Sequence, residues 1–134
     1  MSQENVEIVR RVLGLWNAGG VEPERRPEFF DPEIRMDLRG RKINPAVYDG
    51  YEGVDRFTSD VAEVWDQFSV ESVELIDADP HVVAVMQVTG RGQGSGIEVE
   101  SQLAWVWTLR DGRILRVEGD FDRESALEAA GLSE

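Results

Sequence analysis

The feature that most constrains this chain is a change of hydrophobic period near Phe68. Before it, apolar residues recur at helical spacing; after it, they alternate. A chain that places helices first and alternating strands afterwards is built as an α+β fold, with the helices laid on one face of a sheet.

The first helix is read over residues 3–18. Val6, Val9, Leu13 and Trp16 form its apolar stripe, widened by Ile8, Val12 and Leu15. Ser2 is a candidate cap, and Gly19-Gly20 ends the helix. A short helix follows from Pro23 to Phe30, since proline is tolerated in a first turn, and Asp31-Pro32 stops it. Ile34, Met36 and Leu38 then alternate with Arg35, Asp37 and Arg39, the pattern of a strand with one apolar and one charged face. Residues 40–52 read as a loop. Val54, Phe57, Val61, Val64, Trp65 and Phe68 mark a strong third helix.

Period two then predicts strands over 70–78, 82–91, 97–110 and 113–121, arranged as an antiparallel meander. Asp111-Gly112 is a tight-hairpin signal. Asp122 is placed to cap a last short helix through Ala126, Leu127 and Ala130, closed by Gly131. Two or three helices on a strongly bent sheet make a half-open cone, which leaves a cavity wherever the helices do not fill it.

Composition removes whole classes of function. The 134 residues fit one domain. No cysteine is present, so disulfides and thiolate chemistry are excluded. A net charge of -13 repels phosphate backbones and acidic lipid, which argues against nucleic-acid or membrane partners. No apolar run is long enough to span a bilayer, and the polar, acidic N-terminus does not read as a signal peptide; a cytoplasmic location is the expectation. The single histidine, His81, follows the turn at Asp79-Pro80 and reads as a surface residue. With one His and no Cys, a zinc site is not expected. The glycines of Gly90-Arg91-Gly92-Gln93-Gly94-Ser95-Gly96 alternate and precede no helix, so they read as a hairpin loop rather than a dinucleotide fingerprint. No cofactor is expected. Lys42 is the only lysine among many arginines, a bias that reads as that of a GC-rich, bacterial genome.

Several local strings carry a resemblance. They are Glu7-Ile-Val-Arg-Arg-Val-Leu13 with Trp16-Asn17-Ala18-Gly19, Phe30-Asp31-Pro32-Glu33-Ile34, and Tyr48-Asp49-Gly50-Tyr51-Glu52-Gly53-Val54. The others are Trp107-Thr-Leu-Arg-Asp-Gly-Arg-Ile114 and Ala126-Leu-Glu-Ala-Ala-Gly-Leu132. With them the chain resembles the SnoaL-like branch of the nuclear transport factor 2-like superfamily, which includes polyketide cyclases, ketosteroid isomerase, limonene epoxide hydrolase and scytalone dehydratase. The resemblance implies a cone-shaped barrel with helices on the concave face of its sheet and a mouth to one side. It also implies a homodimer through the outer sheet face.

It further implies where chemistry would sit. Asp37 matches the general base of ketosteroid isomerase, and a carboxylate facing an apolar cavity would have its pKa raised toward a working range. The competing reading pairs Asp37 with Arg35 or Arg39. The oxyanion donors of that enzyme fall at Val12 and Trp105, which cannot supply the same hydrogen bonds. The Asp that cyclases and the epoxide hydrolase carry in the last strand falls at Gly119. Its neighbours Glu118 and Asp120 point to the other face unless a bulge re-aims one. The residues expected to line a pocket are Val12, Trp16, Tyr48, Tyr51, Phe57, Val61, Trp105, Trp107, Val117 and Gly119. Gln87 and Arg91 are candidates for polar contacts. The function implied is binding of a small apolar molecule, polycyclic or isoprenoid-like. The alternatives are a cyclase, isomerase or hydrolase using Asp37, and a non-catalytic interaction module whose pocket is filled by its own side chains.

Overall fold

The structure is a computed structural model that describes residues 2–40 and 45–132; the expected Ser2 cap and the aim of the Asp120 side chain lie outside what it describes. Helix α1 (Ser2–Asn17) is followed by a 3-10 turn (Pro23–Arg25), a one-turn α2 (Arg26–Phe29), strand β1 (Phe30–Leu38), strand β2 (Ala46–Asp49) and helix α3 (Gly50–Val64). Strands β3 (Trp65–Ala78), β4 (His81–Gly92), β5 (Glu98–Arg110) and β6 (Arg113–Phe121) lead to α4 (Arg123–Ala129). The α+β architecture is as the spacing predicts. Among the described residues no helix is long and apolar enough to cross a membrane.

The six strands form one open sheet in the order β2-β1-β6-β5-β4-β3. Every pairing is antiparallel except β1 with β6, which is parallel because the chain returns to the sheet centre only after the whole meander is built. Register shifts in β3, between β5 and β6, and between β1 and β6 mark irregularities that bend the strands and curl the sheet around α1 and α3. Asp111 and Gly112 both take positive φ, 54° and 76°, as the tight hairpin between β5 and β6 requires. The Asp122 side chain accepts from Ser125 N at 2.7 Å and caps α4 as expected.

Three local readings are corrected. Residues Ala46–Asp49 of the expected loop form an edge strand paired with β1, in register Met36 with Tyr48 and Leu38 with Ala46. A four-residue strand is too short to show a period. Phe30 opens β1 rather than ending a helix. The third helix stops at Val64, and Trp65 takes extended angles (φ −118°, ψ 131°). Val61, Val64, Trp65 and Phe68 suit a helical stripe, but pairing of β3 with the end of β4 wins: Trp65 lies opposite Gly92 and Phe68 opposite Gly90.

The core has two parts. On the concave side Met36, Met86, Trp107 and Val117 meet Val9, Val12, Leu13 and Phe57 of the helices. On the convex side Val83, Val85, Ala104 and Val106 are covered by Ala126 and Leu127 of α4 and by Ala130 just after it. Residues Val82 to Met86 are therefore buried on both faces, which is why that stretch reads as a continuous apolar run.

Candidate ligand pocket

The end of α1 reaches the site because Asn17 ties it to the free edge of β3. Its Nδ2 donates to Val70 O at 2.6 Å and its Oδ1 accepts from Val70 N at 2.8 Å, so the amide acts as one more strand residue. The preceding residue, Trp16, enters the cone and meets three rings. Its centroid lies 5.2 Å from Phe57, 5.9 Å from Trp105 and 5.5 Å from Trp107. Trp105 lies 5.9 Å from Trp107 and 6.1 Å from Phe57. Such tilted and edge-on contacts contribute about 0.5–1.5 kcal/mol each beyond burial. The aromatic side chains thus fill the floor of the cone with each other.

What remains is a cavity of about 90 Å³. Its wall includes Trp16, Phe57, Val61 and Trp105 from the expected lining, joined by Leu13. Trp65, Phe68, Val70, Met86, Val88 and Leu103 complete it. The wall is apolar and carries no ionisable side chain. The indole N–H groups of Trp16 and Trp107 are buried among the rings without a hydrogen-bond partner among the described residues. Trp65 and Phe68 were not expected here, because a helix would turn them elsewhere. The signal that locates them is Gly90: a Cβ at that position would come within 2.9 Å of the Trp65 ring.

The tyrosines are committed to the protein. Tyr48 is buried and its hydroxyl donates to Asp60 Oδ2 at 2.6 Å, while its ring meets Phe57 at 5.7 Å. Tyr51 donates to the carbonyl of Phe30 at 3.1 Å, and its ring lies under the Arg26 guanidinium. Tyr51 holds the start of α3 against the sheet, and Tyr48 holds its second half. Val12 and Val117 are fully buried behind the aromatic floor and do not border the cavity.

Asp37 does not face the cone. Met36 and Leu38 point inward, and Asp37 stands on the opposite face, in register with Val47 and Glu118. Arg39 grips it: Nε donates to Oδ1 at 3.0 Å, Nη2 to Oδ2 at 2.8 Å, and the backbone N to Oδ1 at 3.2 Å. These charge-assisted bonds hold the carboxyl down at about 2, against the opposing effect of burial. The expectation of a desolvated base with a raised pKa is overturned, and the pairing with Arg39 is what the chain adopts.

Gly119 is buried on the inner face, directly beneath Trp105. A Cβ there would come within 2.3 Å of the indole nitrogen, far too close for any side chain. The anticipated bulge exists: β5 advances two residues from Ala104 to Val106 while β6 spans three, from Phe121 to Glu118. Glu118 remains on the outer face and pairs with Arg116 at 3.5 Å. Gln87 and Arg91 also lie outside the cone, correcting the expectation of polar contacts there; Arg91 is bound to Asp66 at 2.8 Å. A larger hollow of about 560 Å³ runs along the outer face past Gln67, Ser69, Thr89 and Glu100, but it is shallow and open. Among the described residues, no cluster of His, Asp and Glu is arranged to hold a metal ion.

Chains of known structure share this fold. A putative SnoaL-like polyketide cyclase from a Jannaschia species superposes with TM-score 0.75 at 22% identity, over 96% of this chain and 92% of that one. A protein of ketosteroid isomerase-like fold from Catenulispora acidiphila, solved in complex with trimethylamine, gives TM-score 0.73 at 18% identity, covering 94% and 93%. A nuclear transport factor 2-like protein from Burkholderia pseudomallei gives 0.74 at 16% identity, covering 93% and 95%. At these identities the likeness is one of fold. Comparison with curated proteins finds no match. The family model for the SnoaL-like domain matches residues 9–117, from the first helix through most of the last strand, and the chain belongs to that family.

Proposed function

We propose that this SnoaL-like domain binds a small, uncharged, mostly apolar molecule at the mouth of its cone. The observation that carries the reading is an apolar cavity walled by aromatic rings. Ligand pockets for drug-sized molecules run to about 300–1,000 Å³. At about 90 Å³ the interior takes one ring or one branched isoprenoid unit, with the rest of the molecule in the mouth. A charged ligand would lose its hydration there without a partner. The cyclase, isomerase or hydrolase reading loses its base, because Asp37 is ion-paired on the other face. A filled interaction module is the second reading, favoured by the packing of Trp16, Trp105 and Trp107 against one another.

A thermal-shift screen with cyclohexanone, small monoterpenes and fused-ring ketones separates these readings. A ligand at about 100 times its dissociation constant stabilises by about 2.7 kcal/mol, a melting shift on the order of 10 °C. Small uncharged ligands are expected to raise the melting point equally in the wild type and in Asp37→Asn. A shift that disappears in Asp37→Asn restores the enzyme; no shift with any compound leaves the filled module.

A further inference from the structure

The tightest fit in the pocket is between Trp105 and Gly119. The indole lies on the glycine so closely that no side chain fits between them. Trp16, Phe57 and Trp107 hold the same ring at 5.9, 6.1 and 5.9 Å. Trp105 is only 7% exposed, yet it is part of the cavity wall. The indole therefore occupies space that would otherwise belong to the cavity, and the bare backbone at Gly119 is what allows it to sit there.

We infer that Trp105, seated on Gly119, is the size-determining residue of this pocket, so that the occupant is limited to a single-ring or similarly compact uncharged molecule and fused-ring molecules are excluded. The inference rests on the pocket being a binding site and adds the class of occupant. An engineered apolar cavity of about 150 Å³ holds benzene. The cavity here, about 90 Å³, accepts such a ring only because its mouth is open. A second fused ring would have to enter the volume of the indole, which has Gly119 behind it and three aromatic rings around it. It has nowhere to retreat. Without the indole, the cavity extends down to the backbone of β6.

The test uses toluene and naphthalene as probes, titrated by NMR against the wild type and Trp105→Ala, with Trp105→Leu as the milder variant should alanine collapse the site. The wild type is expected to bind toluene and to bind naphthalene on the order of tenfold more weakly; the alanine variant is expected to reverse that preference. Toluene binding with unchanged naphthalene affinity in folded variants would overturn the size limit and leave the binding site intact. If neither probe binds either protein, the binding reading fails and the size limit goes with it. A second arm needs no ligand. Gly119→Ala lowers the unfolding midpoint in the wild-type background, and its effect falls to roughly half or less in the Trp105→Leu background, because the two sites share one volume. An equal effect in both backgrounds shows that the indole is not seated as described and overturns the inference.

Discussion

Asp37 shows how one side chain can be read two ways from the same string. Its neighbours Arg35 and Arg39 share its strand face, so period two predicts a charged side and an ion pair as readily as a base. The structure chooses Arg39, whose guanidinium reaches back over two residues to take both carboxylate oxygens. The carboxyl is 13% exposed, and its pKa is depressed from near 3.8 to about 2. A depressed carboxylate stabilises the fold above its unfolded pKa, and that contribution is lost as pH falls through the folded value. The exposed Arg39 screens the pair, which limits its worth to about 1 kcal/mol. Asp37→Asn is expected to cost about that much at pH 7. The deficit closes between pH 3.8 and about 2, as followed by urea melts across that range. A deficit that grows on acidification would mean that the carboxyl is not held by Arg39.

At the scale of elements, α4 is the piece whose placement matters most. Seven residues of weakly apolar helix have little intrinsic stability. The helix persists because Asp122 caps it and because Ala126, Leu127 and Ala130 close over the convex apolar patch of β4 and β5. Leu127 is its largest buried side chain, and Leu127→Ala is expected to cost about 2 kcal/mol, the low end of the range for buried leucines, since a short terminal helix relaxes easily. Hydrogen exchange at Val83 and Val85 checks the mechanism: protection there should fall with α4, while protection at Met36 and Val117 follows only global stability. The boundary between α3 and β3 belongs to the same scale. Trp65 and Phe68 satisfy a helical stripe, yet the open backbone at Gly90 and the partner positions on β4 draw them into a strand.

For the whole molecule, the sheet has two unequal faces. The concave face is closed by α1 and α3, apart from the small cavity. The convex face is covered by α4 at one end only; at the other it presents Ser69, Gln87, Thr89 and Gln102. We place the expected homodimer on this uncovered part. Sedimentation equilibrium should then give twice the 15.1 kDa chain mass, and Gln87→Arg together with Gln102→Arg should return it to the monomer without changing the fold. A monomeric wild type removes the dimer.

The sequence alone determined the order of elements apart from the edge strand β2, the hairpin at Asp111-Gly112 and the shared strand face of Trp105 and Trp107. Each is written in local spacing or in a backbone conformation that few residues tolerate. It also carried the family resemblance, through strings spread along most of the chain. Only the tertiary structure decided the parallel contact of β1 with β6, the end of α3, and the size of the pocket. Those depend on residues far apart in the chain competing for one volume. Gly119 and Trp105 are fourteen positions apart, and their spacing in the sequence says nothing of the indole packing against the glycine. Period two likewise set Asp37 on the charged face of β1, but which face became the inside depended on where α1 and α3 were laid.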